Sequence, residues 1–291
     1  TFPTVHGETV VARVLDKQNL VFGLDKLGMD PTMLEHFRAD ISRPHGIILV
    51  TGPTGSGKTT TLYSALTYLN NPDTKIITLE DPVEYELPVI SQAQVRKEQD
   101  FTFATGLRAI LRQDPDILLV GEIRDRETAG LAIRAALTGH LVFSTLHTNT
   151  AAGAIPRLMD MGIEPFLLSA TLVGILAQRL VRRVCPVCRI RQEPTDEQTH
   201  TLRLDEEDGA GRFSLGKGCP KCRETGYAGR LPVFEYLRFS SGIRSLMREN
   251  ADADALHEHA LTEGMISLRA DTMEKLRAGK TSLEEAVRVV S

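Results

Sequence analysis

The sequence is short of several things, and each shortage closes off a class of function. No apolar run approaches the roughly 20 residues that a bilayer-spanning helix needs, and the opening TFPTVHGETVVARVLDK lacks the layout of a signal peptide. Positive charge is not in surplus: 34 Lys and Arg against 38 Asp and Glu leave a net charge of −4. A chain whose main work is gripping DNA or RNA is more often basic or striped with basic residues. The clusters Arg179/Arg182/Arg183 and Arg108/Arg112 are too local to form such a stripe, so nucleic acid is not an expected partner. Only four cysteines occur, all in two Cys-x-x-Cys pairs. That usage points to a cytoplasmic chain and to metal binding over disulfides. Internal repeats and low-complexity tracts are also missing.

What is present is an ordinary globular mix, 42% hydrophobic and 25% charged over 291 residues, enough for one large domain or two modest ones. Val5 to Leu15 suggest two short strands turned at His6-Gly7-Glu8, and residues 31–40 read as a helix with Pro31 in its first turn. Ile47-Ile48-Leu49-Val50 is a short apolar run, as expected for a strand buried on both faces of a parallel sheet. Further runs of this kind lie at 76–79, 117–120 and 141–143, separated by helical stretches, notably 102–112 and 127–137. Strands alternating with helices imply an α/β domain with a mostly parallel sheet. From Cys185 to Gly229 the chain is rich in Gly, Pro, Cys and charge and cannot build much apolar core alone. From about residue 231 a helical periodicity takes over, through Leu256, Leu261, Leu268, Met273, Leu276, Leu283 and Val287.

The strongest motif is Gly52-Pro53-Thr54-Gly55-Ser56-Gly57-Lys58-Thr59, a full match to G-x-x-x-x-G-K-[ST], with Thr60 directly behind it. Glycines let the backbone curl so that successive N–H groups face phosphate oxygens, and the following helix adds its N-terminal dipole. Lys58 is placed to reach the β- and γ-phosphates of ATP, and the Thr59 hydroxyl to ligate Mg²⁺. A carboxylate completing the Mg²⁺ site is expected at the end of a neighbouring strand, and Ile117–Val120 followed by Gly121-Glu122 supplies it. Thr78-Leu79-Glu80-Asp81-Pro82-Val83-Glu84 is a second strand ending in acids, and strand C-terminal ends face the ligand crevice of such a sheet. Glu80, Asp81 and Glu84 are all candidates to orient the attacking water. Glu80 is preferred because it directly ends the strand. His140 and His147 bracket the strand at 141–143 and its Ser144-Thr145 end; neutral imidazole is a good polar sensor of phosphate state.

In this order, the loop at 52–59, the acidic box at 78–86, the Gly-Glu strand at 117–122 and the histidine box at 138–148 resemble the secretion ATPase superfamily, over nearly the whole chain. The phrases Leu111-Arg112-Gln113-Asp114-Pro115-Asp116 and Leu137-Thr138-Gly139-His140 carry the same likeness. The resemblance implies a RecA-like P-loop NTPase fold and a hexameric ring. By position it makes Glu80 the catalytic glutamate, Glu122 the metal-side glutamate and His147 the histidine near the γ-phosphate. Arg13 matches an arginine that an N-terminal domain supplies to the nucleotide, and a further such arginine is expected upstream of Thr1. The implied layout is a remnant of a PAS-like N-terminal domain and linker at 1–40, the ATPase domain at 41–182, a tetracysteine module at 183–230 and a helical subdomain at 231–291. Arg108 and Arg112, four apart on one helix face, and Arg124 have two readings: surface ion pairs, or stabilisers of transition-state charge across a subunit boundary.

Cys185-x-x-Cys188 and Cys219-x-x-Cys222 are separated by thirty residues, 189–218, longer than a usual zinc ribbon, so a small excursion is expected between them. Four thiolates make a closed structural zinc site with no coordination position left for catalysis. In the resembled family this insertion accompanies secretion and pilus-assembly motors and is generally missing from retraction motors. The segments 161–169 and 176–183 lean toward the secretion members. The expectation is therefore an ATP-, Mg²⁺- and Zn²⁺-dependent motor for type II secretion, with type IV pilus assembly as the alternative and a nucleic-acid motor or nucleotide-gated scaffold as rivals. It would be cytoplasmic and held at the inner membrane through secretion-platform partners, without inserting into lipid.

Overall fold

The computed structural model describes residues 1–11, 23–205, 213–249 and 251–290. Arg13, expected near the nucleotide, lies outside the described residues. Strands β1 (Phe2–Thr4) and β2 (Gly7–Thr9) form an exposed antiparallel hairpin whose turn falls at Val5-His6, slightly earlier than the sequence suggests.

The centre of the molecule is a seven-stranded sheet in the order β11-β8-β3-β7-β6-β4-β5. Its members are β3 (Gly46–Thr51), β4 (Ile76–Glu80), β5 (Ser91–Gln94), β6 (Ile117–Val120), β7 (Leu141–Leu146), β8 (Leu172–Val184) and β11 (Tyr227–Arg238). All pairings are parallel except β11 on β8. The apolar runs read from the sequence are the buried inner strands: every residue of β3, β4, β6 and β7 is buried, as it must be when helices cover both faces.

Two helices, α1 (Pro31–Ile41) and α2 (Lys58–Leu69), cover one face through Phe37, Ile41, Tyr63 and Leu66. Helix α1 starts where the sequence says it should, with Asp30 accepting from the N–H groups of Thr32 and Met33 and Pro31 at the first position. The other face carries α3 (Phe103–Ile110), α4 (Arg126–Leu137), α5 (Ala154–Asp160), α6 (Pro165–Thr171), α8 (Ser241–Arg248) and α9 (Ala253–Thr262). Among the described residues no helix is long and apolar enough to cross a membrane.

Two expectations need correction. Residues 231–238 are not helical; they are the end of β11, where Val233, Phe234, Tyr236 and Leu237 are buried in the central sheet. Branched and aromatic side chains suit a pleated, buried strand, whereas the helical periodicity belongs only to the chain beyond Ser240. Second, β6 is not the neighbour of β3: β7 lies between them.

Strand β11 is fastened to α1 by a buried polar knot. Asp40, fully buried, accepts from Tyr236 Oη (3.1 Å) and Arg238 Nε (2.7 Å), and Arg43 lies 2.9 Å away. Every lone pair so used is one that burial would otherwise leave unsatisfied.

Between β8 and β11 the chain forms a smaller unit. It holds a hairpin of β9 (Arg189–Gln192) and β10 (Phe213–Gly216), with α7 (Asp196–Leu202) as the expected excursion between the cysteine pairs. Among the described residues its apolar cluster draws Leu202 and Phe213 from this stretch, with Leu204 packed against them; Met273, Leu276, Leu283 and Ala286 come from α10 (Leu268–Arg277) and α11 (Leu283–Val290). Helix α11 is tied back to β8 through Glu285, which accepts from Arg182 Nε (2.9 Å) and from Arg288 (2.8 Å).

Candidate nucleotide and metal sites

The phosphate loop leaves the C-terminal end of β3 and enters α2. Gly52 has φ 146° and Gly57 φ 89°, and a Cβ on Gly52 would stand 2.2 Å from the carbonyl oxygen of Gln178, so no larger residue fits. Gly57 caps α2 without a side-chain acceptor, which leaves the first N–H groups of the helix free to meet an anion. Lys58 Nζ donates to the loop's own carbonyls, Gly52 (2.8 Å) and Pro53 (3.1 Å). Burial lowers the Lys58 pKa below the ordinary lysine value, opposed by the nearby Glu122 carboxylate. Ser56 Oγ is buried inside the loop with no hydrogen-bond partner among the described residues. A cradle of curled backbone with one ammonium and an orphaned hydroxyl fits a polyphosphate.

The strand ends beside the loop are stitched to one another. Thr51 Oγ1 accepts from Thr148 N (2.9 Å), joining β3 to the chain after His147. Thr145 Oγ1 donates to Gly121 O (2.7 Å) and Gly121 N to Leu79 O (2.8 Å), joining β7 to β6 and β6 to β4. Glu122 is thereby held within electrostatic reach of Lys58, paired with Arg124 and 3.4 Å from His147 Nε2. Glu122 is largely buried, while His147 is half exposed. Arg157 of α5 lines the same groove with Glu122, Arg124 and His147.

Four further expected residues, Glu80, Asp81, Arg108 and Arg112, are engaged with partners of their own. Glu80 is 4% exposed. Its carboxylate accepts from Tyr63 Oη (2.5 Å), Thr78 Oγ1 (2.5 Å) and Gln92 Nε2 (3.2 Å), so the protein itself takes up both oxygens. Burial and this bond to Glu80 push the Tyr63 phenol well above its ordinary pKa. Asp81 is exposed on the loop side and interacts with Arg124. Arg108 pairs with Glu127 of α4, and Arg112 donates to the carbonyl of Arg108 (2.9 Å). Those bonds are to their own surroundings and not to the phosphate loop.

His140 is a plain correction. Its Nδ1 meets Ala135 O at 2.9 Å at the C-terminus of α4, where β7 begins. The six residues of β7 separate it from the loop end of the sheet, about 20 Å at the usual rise per residue. In a parallel sheet only one end of each strand faces the crevice, and that rule separates His147 from His140.

Sequence reasoning missed Gln178. It lies in the middle of β8, 2% exposed, donating through Nε2 to Ser56 O (2.7 Å) and accepting from Thr61 Oγ1 (2.7 Å). An amide inside the run Leu172–Ala177 and Leu180–Val181 was the available signal, since a buried polar residue is more informative than an exposed apolar one.

The four cysteines meet as expected. Their sulfurs all lie within 4.8 Å of one another, with Cys188–Cys222 at 3.8 Å and Cys219–Cys222 at 3.7 Å. Tetrahedral Zn–S bonds of about 2.3 Å put sulfurs about 3.8 Å apart. Burial works against ionising Cys222, but N–H donors from Cys219 (3.2 Å) and Gly226 (3.3 Å) bring its thiol down to about 6. The cluster fits a closed Zn²⁺ site.

Known proteins agree with this geometry. The chain is 51% identical over 289 residues to the type II secretion system ATPase E of Vibrio cholerae, spanning 99% of this chain and 57% of that protein. It is 50% identical over 287 residues to the type IV pilus assembly ATPase PilB of Myxococcus xanthus, spanning 98% of this chain and 51% of that one. Among solved structures, the pilus retraction motor PilT with bound ADP superposes with a TM-score of 0.70 at 32% identity, over 95% of this chain and 68% of that chain. The chain thus spans little more than half the length of the curated relatives it matches. A model of the family described as type II/IV secretion system protein matches residues 1–288, and the chain belongs to that family.

Proposed function

We propose that this chain is the motor portion of a type II secretion ATPase, which hydrolyses ATP and converts the cycle into pushing on pilin-like subunits. The observation that carries the reading is the convergence of Lys58, Glu122 and His147 at the uncapped start of α2. Gly52 to Thr60 would hold the phosphates, with Lys58 on the β- and γ-phosphates. Thr59 and Glu122 would hold Mg²⁺, which when bound supplies charge neutralisation for the leaving phosphate. His147, hydrogen-bond distance from the Glu122 carboxylate, reads the state of that site. Glu80 orients the attacking water once one of its three protein donors gives way. The four cysteines hold Zn²⁺ as a structural ion.

Arg108 and Arg112 reach a nucleotide only across a subunit boundary, which goes with a homo-oligomeric, hexameric ring; Arg13 belongs to the same set. The ring works at the cytoplasmic face of the inner membrane, bound to secretion-platform proteins. A second reading, pilus assembly, is favoured by the near-equal identity to the pilus motor of Myxococcus xanthus. The type II reading is kept on the segments 161–169 and 176–183.

Phosphate release from Mg-ATP by the full-length protein, followed against protein concentration with sizing in parallel, tests the motor reading. Specific activity is expected to climb as the ring assembles. Full activity in fractions that size as monomer would contradict sites completed between subunits.

A further inference from the structure

We infer that Gln178 is a positioning residue for the phosphate loop: its side-chain amide touches no nucleotide, yet it sets the loop's affinity for phosphate. The inference rests on the nucleotide-site reading above and adds to it the element that shapes the loop.

The loop spans the Gly52–Gly57 turn between β3 and α2, and the other bonds observed on it come from its own residues and the start of α2: Lys58 Nζ to Gly52 O and Pro53 O, Ser56 N to Pro53 O at 3.2 Å, and Thr61 N to Gly57 O at 3.2 Å. Gln178 reaches it from a different strand. Nε2 donates to Ser56 O at 2.7 Å, and Oε1 accepts from Thr61 Oγ1, one turn into α2, also at 2.7 Å. One rigid amide therefore spans the last part of the loop and the first turn of the helix. That fixes how the loop's curl meets the helix N-terminus, the two halves of the anion cradle.

The amide has one workable orientation. Flipped, its oxygen would face the carbonyl oxygen of Ser56, two acceptors in contact with no proton between them. Gln178 also moulds the loop by volume. Its backbone oxygen lies 2.2 Å from where a Gly52 Cβ would be, and its Nε2 2.8 Å from a Gly57 Cβ. Gln178 thus crowds both glycines, whose positive φ already favours the absence of a side chain. A loop tethered in its binding shape has less freedom to lose when phosphate arrives, and that preorganisation is read as affinity.

The test is Gln178→Glu in the full-length protein, a near-isosteric change, with Mg-ADP affinity measured by calorimetry from about pH 5 to pH 8, a range that a buried carboxyl with raised pKa can cross. At the alkaline end the ionised carboxylate faces Ser56 O, and affinity is expected to fall at least about tenfold, the worth of the lost tether. On acidification the introduced carboxyl takes a proton, donates again to Ser56 O, and the ratio to wild type is expected to return toward one. Gln178→Met keeps the volume and removes both bonds; it should bind weakly at every pH while retaining four-cysteine zinc and a cooperative melt. Should Gln178→Glu fail to fold, Gln178→Met decides alone.

A Gln178→Glu protein that binds like wild type at the alkaline end, or whose deficit does not change with pH, overturns the inference. The nucleotide site itself would stand in that case, provided Lys58→Ala still abolishes binding. If wild type binds no Mg-ADP at any pH, the nucleotide-site reading fails and this inference with it.

Discussion

The phosphate loop and the cysteine knuckles both present polar atoms to a ligand, but they are held by opposite means. Behind the loop stands a sheet whose inner strands are wholly buried, with strand ends stitched by Thr51, Thr145 and Gly121 and the loop itself clasped by Gln178. Behind the knuckles stand Leu202 and Phe213 and whatever α10 and α11 lend them. Where a scaffold has apolar area to bury, it can shape an empty site before its ligand comes. Where it has little, the ligand has to supply the folding energy itself, as structural zinc does. On the function proposed above, the difference teaches that the nucleotide is something this fold acts upon, whereas the metal is part of the fold.

The largest effect that can break this contrast is zinc removal. Structural zinc contributes apparent binding energies of about 10–16 kcal/mol in small modules. Chelation, or Cys222→Ser, should therefore loosen residues 185–229, seen as fast hydrogen exchange there. Mg-ADP affinity of the loop is expected to change by less than about threefold, because no zinc ligand touches the sheet's loop end. Loss of nucleotide binding in step with zinc would erase the distinction.

Next in size is Glu80→Gln, which keeps the shape and one acceptor oxygen for Thr78 and Gln92, removes the charge, and turns the other oxygen into an N–H donor that the Tyr63 hydroxyl can accept. A water-orienting carboxylate predicts hydrolysis down by about 10²-fold or more with nucleotide affinity unchanged. Hydrolysis near wild type would make Glu80 the anchor of Tyr63, Thr78 and Gln92 and pass its proposed role to Glu122.

The smallest effect is on pH. The folded Lys58 loses its proton below the ordinary lysine pKa of 10.5 because burial disfavours its charge. Phosphate affinity should then weaken as pH rises through that lowered value, earlier than an exposed lysine would allow. In stability the sign is reversed: the unfolded chain binds the extra proton in that window, so the cost of burying the charged ammonium is relieved as pH rises. A flat affinity profile up to the ordinary value would show that the ammonium stays fully charged in the loop.

Much of the nucleotide half was legible in the sequence for a physical reason. Strands buried on both faces are apolar runs, and the loop motif sits between one such run and a helix. Strand β8 was harder, since only its first half is apolar before Arg179, Arg182 and Arg183 appear. Strand β11 carries a half-buried Pro232 and hides Glu235 among its buried residues, and it merges with the helical pattern that follows. Glu235 is explained only by partners far along the chain, the N–H groups of Ala151 (2.8 Å) and Leu268 (3.2 Å). The partner of Gln178 lay out of reach for the same reason: its bond to Ser56 spans 122 positions, so the amide in an apolar run marks the residue but not what it holds. The histidines show what local patterns omit. His140 and His147 flank one strand equally in sequence, but the direction of that strand sends only His147 to the site.

The most direct test of the central claim compares phosphate release from Mg-ATP by full-length wild type and Lys58→Ala under identical conditions, with folding checked by melting and zinc content. A loop whose single ammonium steadies the transferring phosphate predicts turnover in the wild type, and a drop of at least about 10²–10³-fold in the variant, the cost of removing one preorganised charge donor. Turnover in the variant close to that of wild type would mean that hydrolysis does not take place at the loop, and would contradict the account.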